Sequence, residues 1–92
     1  MIPLPQKTRK NGYNYVQVLR GTKCAIYSQW YEENLIGYEV MLIRTRPERF
    51  VKGFFLEARE AFAGNEDFGS SAWSCKSWEK AIQTFSIHEQ DS

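Results

Sequence analysis

The chain has 92 residues, of which 42% are hydrophobic and 25% charged, and its formal net charge is +1. This length leaves room for one domain, so we expect a single domain over residues 1–92. The composition excludes a disordered chain, and the small net charge excludes a uniformly basic or acidic protein.

The first third of the chain predicts an arm followed by a β-hairpin. Residues 1–11 hold two prolines among mostly polar residues, so we expect a loose N-terminal arm ended by a turn at Asn11-Gly12. Residues 13–19 and 24–31 are rich in aromatic and β-branched residues, which favours two strands. A two-residue turn with positive φ at Gly21 would join them and pair Leu19 with Cys24. The apolar face predicted for this hairpin carries Val16, Val18, Ala25 and Tyr27.

The segment from Ile36 to Arg46 predicts a third and longest strand with apolar residues on both faces. Val40 lies on one face, and Met41 and Ile43 lie on the other. A strand of this kind is usually covered on both sides. Its second face therefore needs a cover, which another segment, a partner chain or a ligand would supply. The residues predicted for an interface there are Trp30, Met41 and Ile43.

The C-terminal half predicts one helix. Pro47 ends the third strand, residues 50–63 fit either a short helix or a strand, residues 65–71 a loop, and residues 72–75 a short strand. Ser77 suits a helix N-cap, and apolar residues then recur at helical spacing to about residue 88. The predicted stripe consists of Trp78, Ala81, Ile82 and Phe85. The predicted fold class is α+β, with a small antiparallel sheet of three to four strands packed by this amphipathic helix.

No catalytic, cofactor or metal site is predicted. Cys75 and His88 bracket the helix, too far apart for a nucleophile and its base. One histidine and two distant cysteines give no metal-ligand spacing. The paired carboxylates are typical of solvated surface, and we expect no enzyme activity from them. They are Glu57 with Glu60, and Glu66 with Asp67.

Cysteine usage and the N-terminus bear on location. Two cysteines are too few for a disulfide framework, and Met1 to Lys10 lack the apolar core of a signal peptide. The longest apolar runs have four residues, too few to span a membrane. We therefore expect free thiols, a cytoplasmic location and no membrane partner.

Aromatic and basic residues interleave along the predicted sheet. The first 31 residues hold five bases and no acid. Single-stranded nucleic acid binds surfaces on which bases stack against rings while Lys and Arg neutralise phosphates. The alternative is that the rings fill a small core or an interface. The predicted nucleic-acid-binding residues are Tyr15, Arg20, Lys23, Tyr27, Arg44 and Arg46.

Four short motifs carry a resemblance. They are AIY at 25–27, YEV at 38–40, DFG at 67–69 and WSCKSWEKAIQTF at 73–85. In this order they resemble small uncharacterised proteins of bacteriophages and related mobile elements. The resemblance implies an accessory protein rather than a metabolic enzyme, and it brings no catalytic residues.

Three functions follow as hypotheses. The first is a non-enzymatic binding or accessory protein that acts through its sheet face, self-association as a homodimer being one form of this. The second is a single-stranded nucleic-acid-binding protein. The third is a small enzyme of unknown reaction, which requires a pocket that contains titratable groups.

Overall fold

The computed structural model describes residues 1–64 and 68–90, and within them the chain forms nine strands and one helix. The strands are β1 (Lys7–Lys10), β2 (Tyr13–Arg20), β3 (Cys24–Tyr31), β4 (Asn34–Leu42), β5 (Arg44–Arg46), β6 (Arg49–Val51), β7 (Phe54–Leu56), β8 (Arg59–Ala61) and β9 (Ala72–Cys75). The helix α1 spans Trp78–Gln90. An antiparallel sheet with the order β1-β2-β3-β4-β9 carries the helix on one face. The predicted α+β fold is confirmed, with five strands in the main sheet.

The helix begins as its sequence predicts. The Ser77 hydroxyl accepts a hydrogen bond from the backbone N–H of Lys80 at 3.2 Å, which is the N-cap geometry. Ala81 is fully buried, and Ile82 and Phe85 pack beside it. This stripe covers the sheet face formed by Ile26, Val40, Cys75 and their neighbours.

The far end of the helix is fastened to the turn between β2 and β3. The Glu89 carboxylate accepts hydrogen bonds from the backbone N–H groups of residues 22, 23 and 24 at 2.9 Å each. A side chain at position 21 would place its Cβ against Glu89 Oε1, so only glycine fits there without moving the carboxylate. Among the described glycines, Gly12, Gly53 and Gly69 have positive φ and Gly21 does not. The turn predicted with positive φ at Gly21 is therefore wrong.

The predicted register of this hairpin is also wrong. Leu19 pairs with Ile26 rather than Cys24, because four residues instead of two connect the paired positions Arg20 and Ala25. A bulge in β2 between Gln17 and Leu19 then shifts the register a second time. The extra residue shifts the side chains that precede it to the opposite face. Tyr15 therefore joins Ala25 and Tyr27 in one cluster, whereas Val16 and Val18 do not.

The second face of the sheet is covered by the chain itself. Leu4, Phe62 and Ala63 pack over this face, where Tyr27 and Met41 are completely buried. Ile43 contacts the same cluster. The predicted interface at Met41 and Ile43 is therefore wrong, because a segment of the same chain supplies the cover.

Trp30 does not lie beside Met41. Its indole N–H donates to the Ser28 hydroxyl at 2.8 Å. Ser28 is two residues before Trp30 in β3, so both side chains point to the helix side of the sheet. The predicted grouping of Trp30 with Met41 and Ile43 is wrong.

The N-terminal segment is held in place rather than loose. Residues 7–10 form the edge strand β1. The backbone N–H of Ile2 donates to the carbonyl of Ala58, and the Ile2 carbonyl accepts from the N–H of Glu60. Leu4 is only 3% exposed. The prediction fails because Leu4 fills the core and the Ile2 backbone is paired with the chain near β8.

A long β-hairpin leaves the sheet after β4. Leu42 pairs with Cys24, the first residue of β3, so the third strand ends there instead of at Arg46. Strand β5 pairs with β8 and strand β6 pairs with β7, and the two pairs keep the same register across the interruption at Pro47. Lys52 and Gly53 form the turn, with φ of 52° and 82°. Residues 44–61 are called the hairpin arm below. The segment 50–63 therefore contains strands and no helix.

The structure describes only part of the loop predicted for residues 65–71. Residues 68–71 form the turn that precedes β9, whereas residues 65–67 of the predicted loop lie outside the described residues. In the part of the chain that the structure describes, no helix has the length and apolar character required to cross a bilayer.

Candidate functional site

The hairpin arm exposes an unusual number of apolar side chains. Phe50 is 75% exposed, Phe54 73% and Phe55 54%, while Val51 and Leu56 are also exposed. Phe50 and Phe55 are cross-strand partners, and their ring centroids lie 5.3 Å apart. Large aromatic residues normally contribute to a core, and an exposed cluster of them marks a contact surface.

Arginines accompany these rings. Arg46 and Arg59 are directly opposite each other on β5 and β8, and both are exposed. Arg46 and Arg59 also border one depression together with Arg49 and Leu56, which are cross-strand partners on β6 and β7. Like charges at directly opposed positions destabilise a sheet. Among the described residues, neither arginine takes part in an ion pair.

The base of the hairpin arm is fixed to the main sheet through Arg20. Its guanidinium donates two hydrogen bonds to the Glu60 carboxylate, at 2.6 and 2.7 Å. This bidentate contact is the main reason that the pKa of Glu60 is lowered. Arg20 was predicted to bind nucleic acid, but its charge is engaged with Glu60 and serves to orient the hairpin arm.

The predicted nucleic-acid-binding residues divide between core and surface. Tyr27 is fully buried and donates its hydroxyl to the Pro5 carbonyl at 2.7 Å, and Tyr15 is 5% exposed. Neither ring is accessible for base stacking, so the prediction is wrong for both. Lys23 lies in the β2–β3 turn. Arg44 and Arg46 are exposed on the hairpin arm, as a binding role requires.

A cavity of about 200 Å³ lies on the sheet face opposite the helix. Glu39 lines it and is only 5% exposed. Burial, opposed by the nearby charge of Lys10 and a hydrogen bond from Tyr15, raises the pKa of Glu39 to about 6. Gln29 in turn donates its amide to the Tyr15 hydroxyl at 3.1 Å. The carboxylate is thus held in a defined position at the cost of desolvation.

The cysteines and the histidine do not form a catalytic group. Cys75 Sγ lies 3.7 Å from the Thr84 hydroxyl, whereas the His88 ring stacks on Trp73 with centroids 3.8 Å apart. Cys24 and Cys75 are both buried and free. Burial, with the nearby charge of Glu89, raises the pKa of Cys24 to about 11, so its thiol stays protonated at neutral pH.

Neither a search for metal-binding side chains nor comparison with known proteins assigns a function to the described residues. Over residues 1–64 and 68–90, no group of three or more His, Cys, Asp or Glu side chains is arranged to hold a metal ion. Glu66 and Asp67 lie outside the described residues. No protein-family model matches the chain, and no curated protein or solved structure matches it either. The resemblance to phage-encoded proteins stays a prediction.

Sequence reasoning missed the two features that stand out in the structure. The exposed phenylalanines of the hairpin arm lie in residues 50–63, for which the sequence fits either a helix or a strand. The signal for a hairpin is Lys52-Gly53, a turn sequence between the apolar pairs Phe50-Val51 and Phe54-Phe55. Glu39 is not among the site residues predicted from the sequence. Its signal was a single acid enclosed by apolar residues in a strand that is buried on both faces.

Proposed function

We propose that the protein is a non-enzymatic accessory protein of the cytoplasm that binds single-stranded nucleic acid along the hairpin arm. The observation that carries the proposal is the placement of Arg46 and Arg59 opposite each other on the hairpin arm, which also exposes the aromatic pair Phe50 and Phe55. A phosphate between the two guanidinium groups relieves their repulsion and accepts charge-assisted hydrogen bonds. Unpaired bases stack on the phenylalanine rings.

The charge of the hairpin arm supports this assignment. It carries five basic residues, which are Arg44, Arg46, Arg49, Lys52 and Arg59. Of its three acids, Glu60 is engaged by Arg20 and Glu57 lies 3.5 Å from the N-terminal ammonium. The hairpin arm is therefore positive although the whole chain is nearly neutral, and a local basic surface is what phosphate binding needs.

The test is fluorescence anisotropy with a labelled 20-nucleotide single strand at 50 mM salt. The variant Arg46→Ala/Arg59→Ala should bind at least about tenfold more weakly. The slope of log affinity against log salt should fall by about 1.4, because two phosphate contacts are lost. Lys76→Ala/Lys80→Ala is the matched control, since it removes the same charge from exposed positions beside and on the helix. Equal loss in both variants, or no binding of the wild type at this salt, would overturn the proposal.

The aromatic contribution is separated by Phe50→Ala/Phe55→Ala. Stacking contributes about 1–3 kcal/mol per base and releases no counterions. This variant should therefore weaken binding while it leaves the salt slope unchanged. A duplex of the same length serves as comparison, and tighter binding of the duplex would show that the hairpin arm recognises a groove rather than unpaired bases.

Self-association is the second candidate, and one observation favours it. Val51, Phe54 and Leu56 lie on the side of the β6–β7 pair opposite Phe50 and Phe55, and all three are exposed. Such a patch on a small protein is often an interface with a second protein or a second copy. Light scattering at micromolar concentration should give the mass of a dimer, and Phe54→Asp should return it to a monomer. A monomeric wild type would remove this candidate.

A further inference from the structure

The cavity that contains Glu39 combines apolar rings with polar groups, as small-molecule binding sites do. The rings of Tyr13, Phe62 and Phe68 form its apolar sides, and Glu39 and Gln29 supply polar groups. Its volume of about 200 Å³ is below the range of roughly 300–1,000 Å³ that suits drug-sized ligands. A ligand of this cavity is therefore about as large as one planar ring system.

The charges at the cavity limit the ligand further. Lys10 donates its ammonium to the Ala63 carbonyl at 2.6 Å and lies 5.8 Å from the Phe62 ring centroid. A phosphate or carboxylate ligand would pair with Lys10 but not with Glu39, and a cationic ligand would pair with Glu39 but not with Lys10. A neutral ring with hydrogen-bond donors next to an acceptor fits both side chains.

The cavity adjoins the surface assigned to nucleic acid at one residue, Phe62. Phe62 lines this cavity and also a second depression that Arg46 and Arg59 border. Its ring is held by edge and tilted contacts with Tyr27 and Tyr15, with centroids 5.0 and 5.1 Å away. A strand whose phosphates contact the two arginines therefore borders Phe62, the residue that the two depressions share.

We propose that the cavity receives one unstacked guanine base of the bound strand, with Glu39 as the residue that selects it. Guanine carries two adjacent donors, N1–H and the N2 amino group, which one carboxylate accepts together. Its O6 acceptor lies next to them and suits the Lys10 ammonium. Adenine and the pyrimidines do not present two adjacent donors beside an acceptor. The rings of Tyr13 and Phe62 provide the stacking surface that an unstacked base needs. The inference rests on the proposed function, because the strand delivers the base.

The test compares four 12-nucleotide strands, all thymine except for one central position that is guanine, adenine, cytosine or thymine. Wild-type protein should bind the guanine strand about tenfold more tightly than the adenine strand, as a good bidentate contact provides. Glu39→Gln should reduce that ratio to about twofold or less, because a glutamine amide pairs with adenine instead. Glu33→Gln, in the exposed β3–β4 turn, is the matched control and should keep the preference.

Nucleic-acid binding and base selection fail in different ways. Equal binding of all four strands by the wild type, or a guanine preference that survives in Glu39→Gln, would overturn the cavity assignment and leave the hairpin arm as the binding surface. Amide chemical shifts on addition of guanosine provide the second measurement. If no strand binds but guanosine shifts the amides of Gln29, Glu39 and Ser74, the cavity assignment stands and the proposed function fails. If neither ligand binds, both fail.

Discussion

Glu39 should make the folded protein less stable at neutral pH than a neutral side chain would. Burial raises its pKa from 4.5 to about 6, and 1.5 pKa units correspond to about 2 kcal/mol. The cavity opens to solvent, which relaxes part of the desolvation, so we expect about 1–2 kcal/mol. Glu39→Gln removes the charge and keeps an oxygen that can accept from the Tyr15 hydroxyl. It should therefore raise the free energy of unfolding at pH 7.5 by this amount.

The sign of the effect fixes its pH window. A carboxyl group whose pKa is higher in the folded state than in the unfolded state binds its proton more tightly when folded. Below about pH 4.5 both states of the wild type are protonated at this position, and the two proteins should be equally stable. The wild type then loses stability relative to Glu39→Gln as the pH rises from about 4.5 to 6, and the difference is constant above that.

Urea unfolding of both proteins at pH 4.0, 5.2 and 7.5 measures this difference. The comparison between variants is needed because the lowered pKa values of Glu60 and Glu89 act in the opposite direction, and they cancel in the difference. Glu33→Gln is the control and should show no pH-dependent gain. A Glu39→Gln protein that is less stable than the wild type at pH 7.5 would refute the reasoning, since the attraction to the nearby charge of Lys10 would then outweigh desolvation.

Two further predictions concern the parts of the chain that close the fold. Leu4→Ala should lower the free energy of unfolding by about 2–4 kcal/mol, because Leu4 fills the core on the second sheet face; a loss below about 0.5 kcal/mol in urea would mean that the N-terminal segment is not part of the folded core. Gly21→Ala should lower the urea midpoint, since its Cβ displaces the Glu89 carboxylate from the amides of the β2–β3 turn. In a Glu89→Ala background the same change should have a smaller effect, and equal effects in both backgrounds would show that the two residues do not interact.

Local signals in the sequence were sufficient for several elements. The β-rich segments predicted β2 and β3, and the strand at 72–75 was found as β9. The helix from Trp78 followed from its cap at Ser77 and its apolar spacing. These elements are determined by interactions between residues that are near in sequence, and they can therefore be predicted from the sequence alone.

The candidate site was less accessible to the same reasoning. Arg44 and Arg46 were predicted to bind nucleic acid and lie on the exposed hairpin arm. Tyr15 and Tyr27 were predicted to bind nucleic acid but are buried. The bulge in β2 turns Tyr15 to the face that carries Tyr27, and Phe62 and Ala63 pack over that face. A register shift of one residue cannot be read from alternation alone, since both faces of this sheet carry aromatic residues.

The sequence by itself determined the α+β class, the helix with its cap and the strands β2, β3 and β9. The tertiary structure decided what covers the second sheet face, where the long hairpin leaves the sheet and where the charge of Glu39 is placed. Each of these depends on contacts between residues far apart in the chain, such as Arg20 with Glu60 and Leu4 with the second sheet face. The physical reason is that burial and pairing are properties of the assembled core, whereas caps and periodicity act within a few residues.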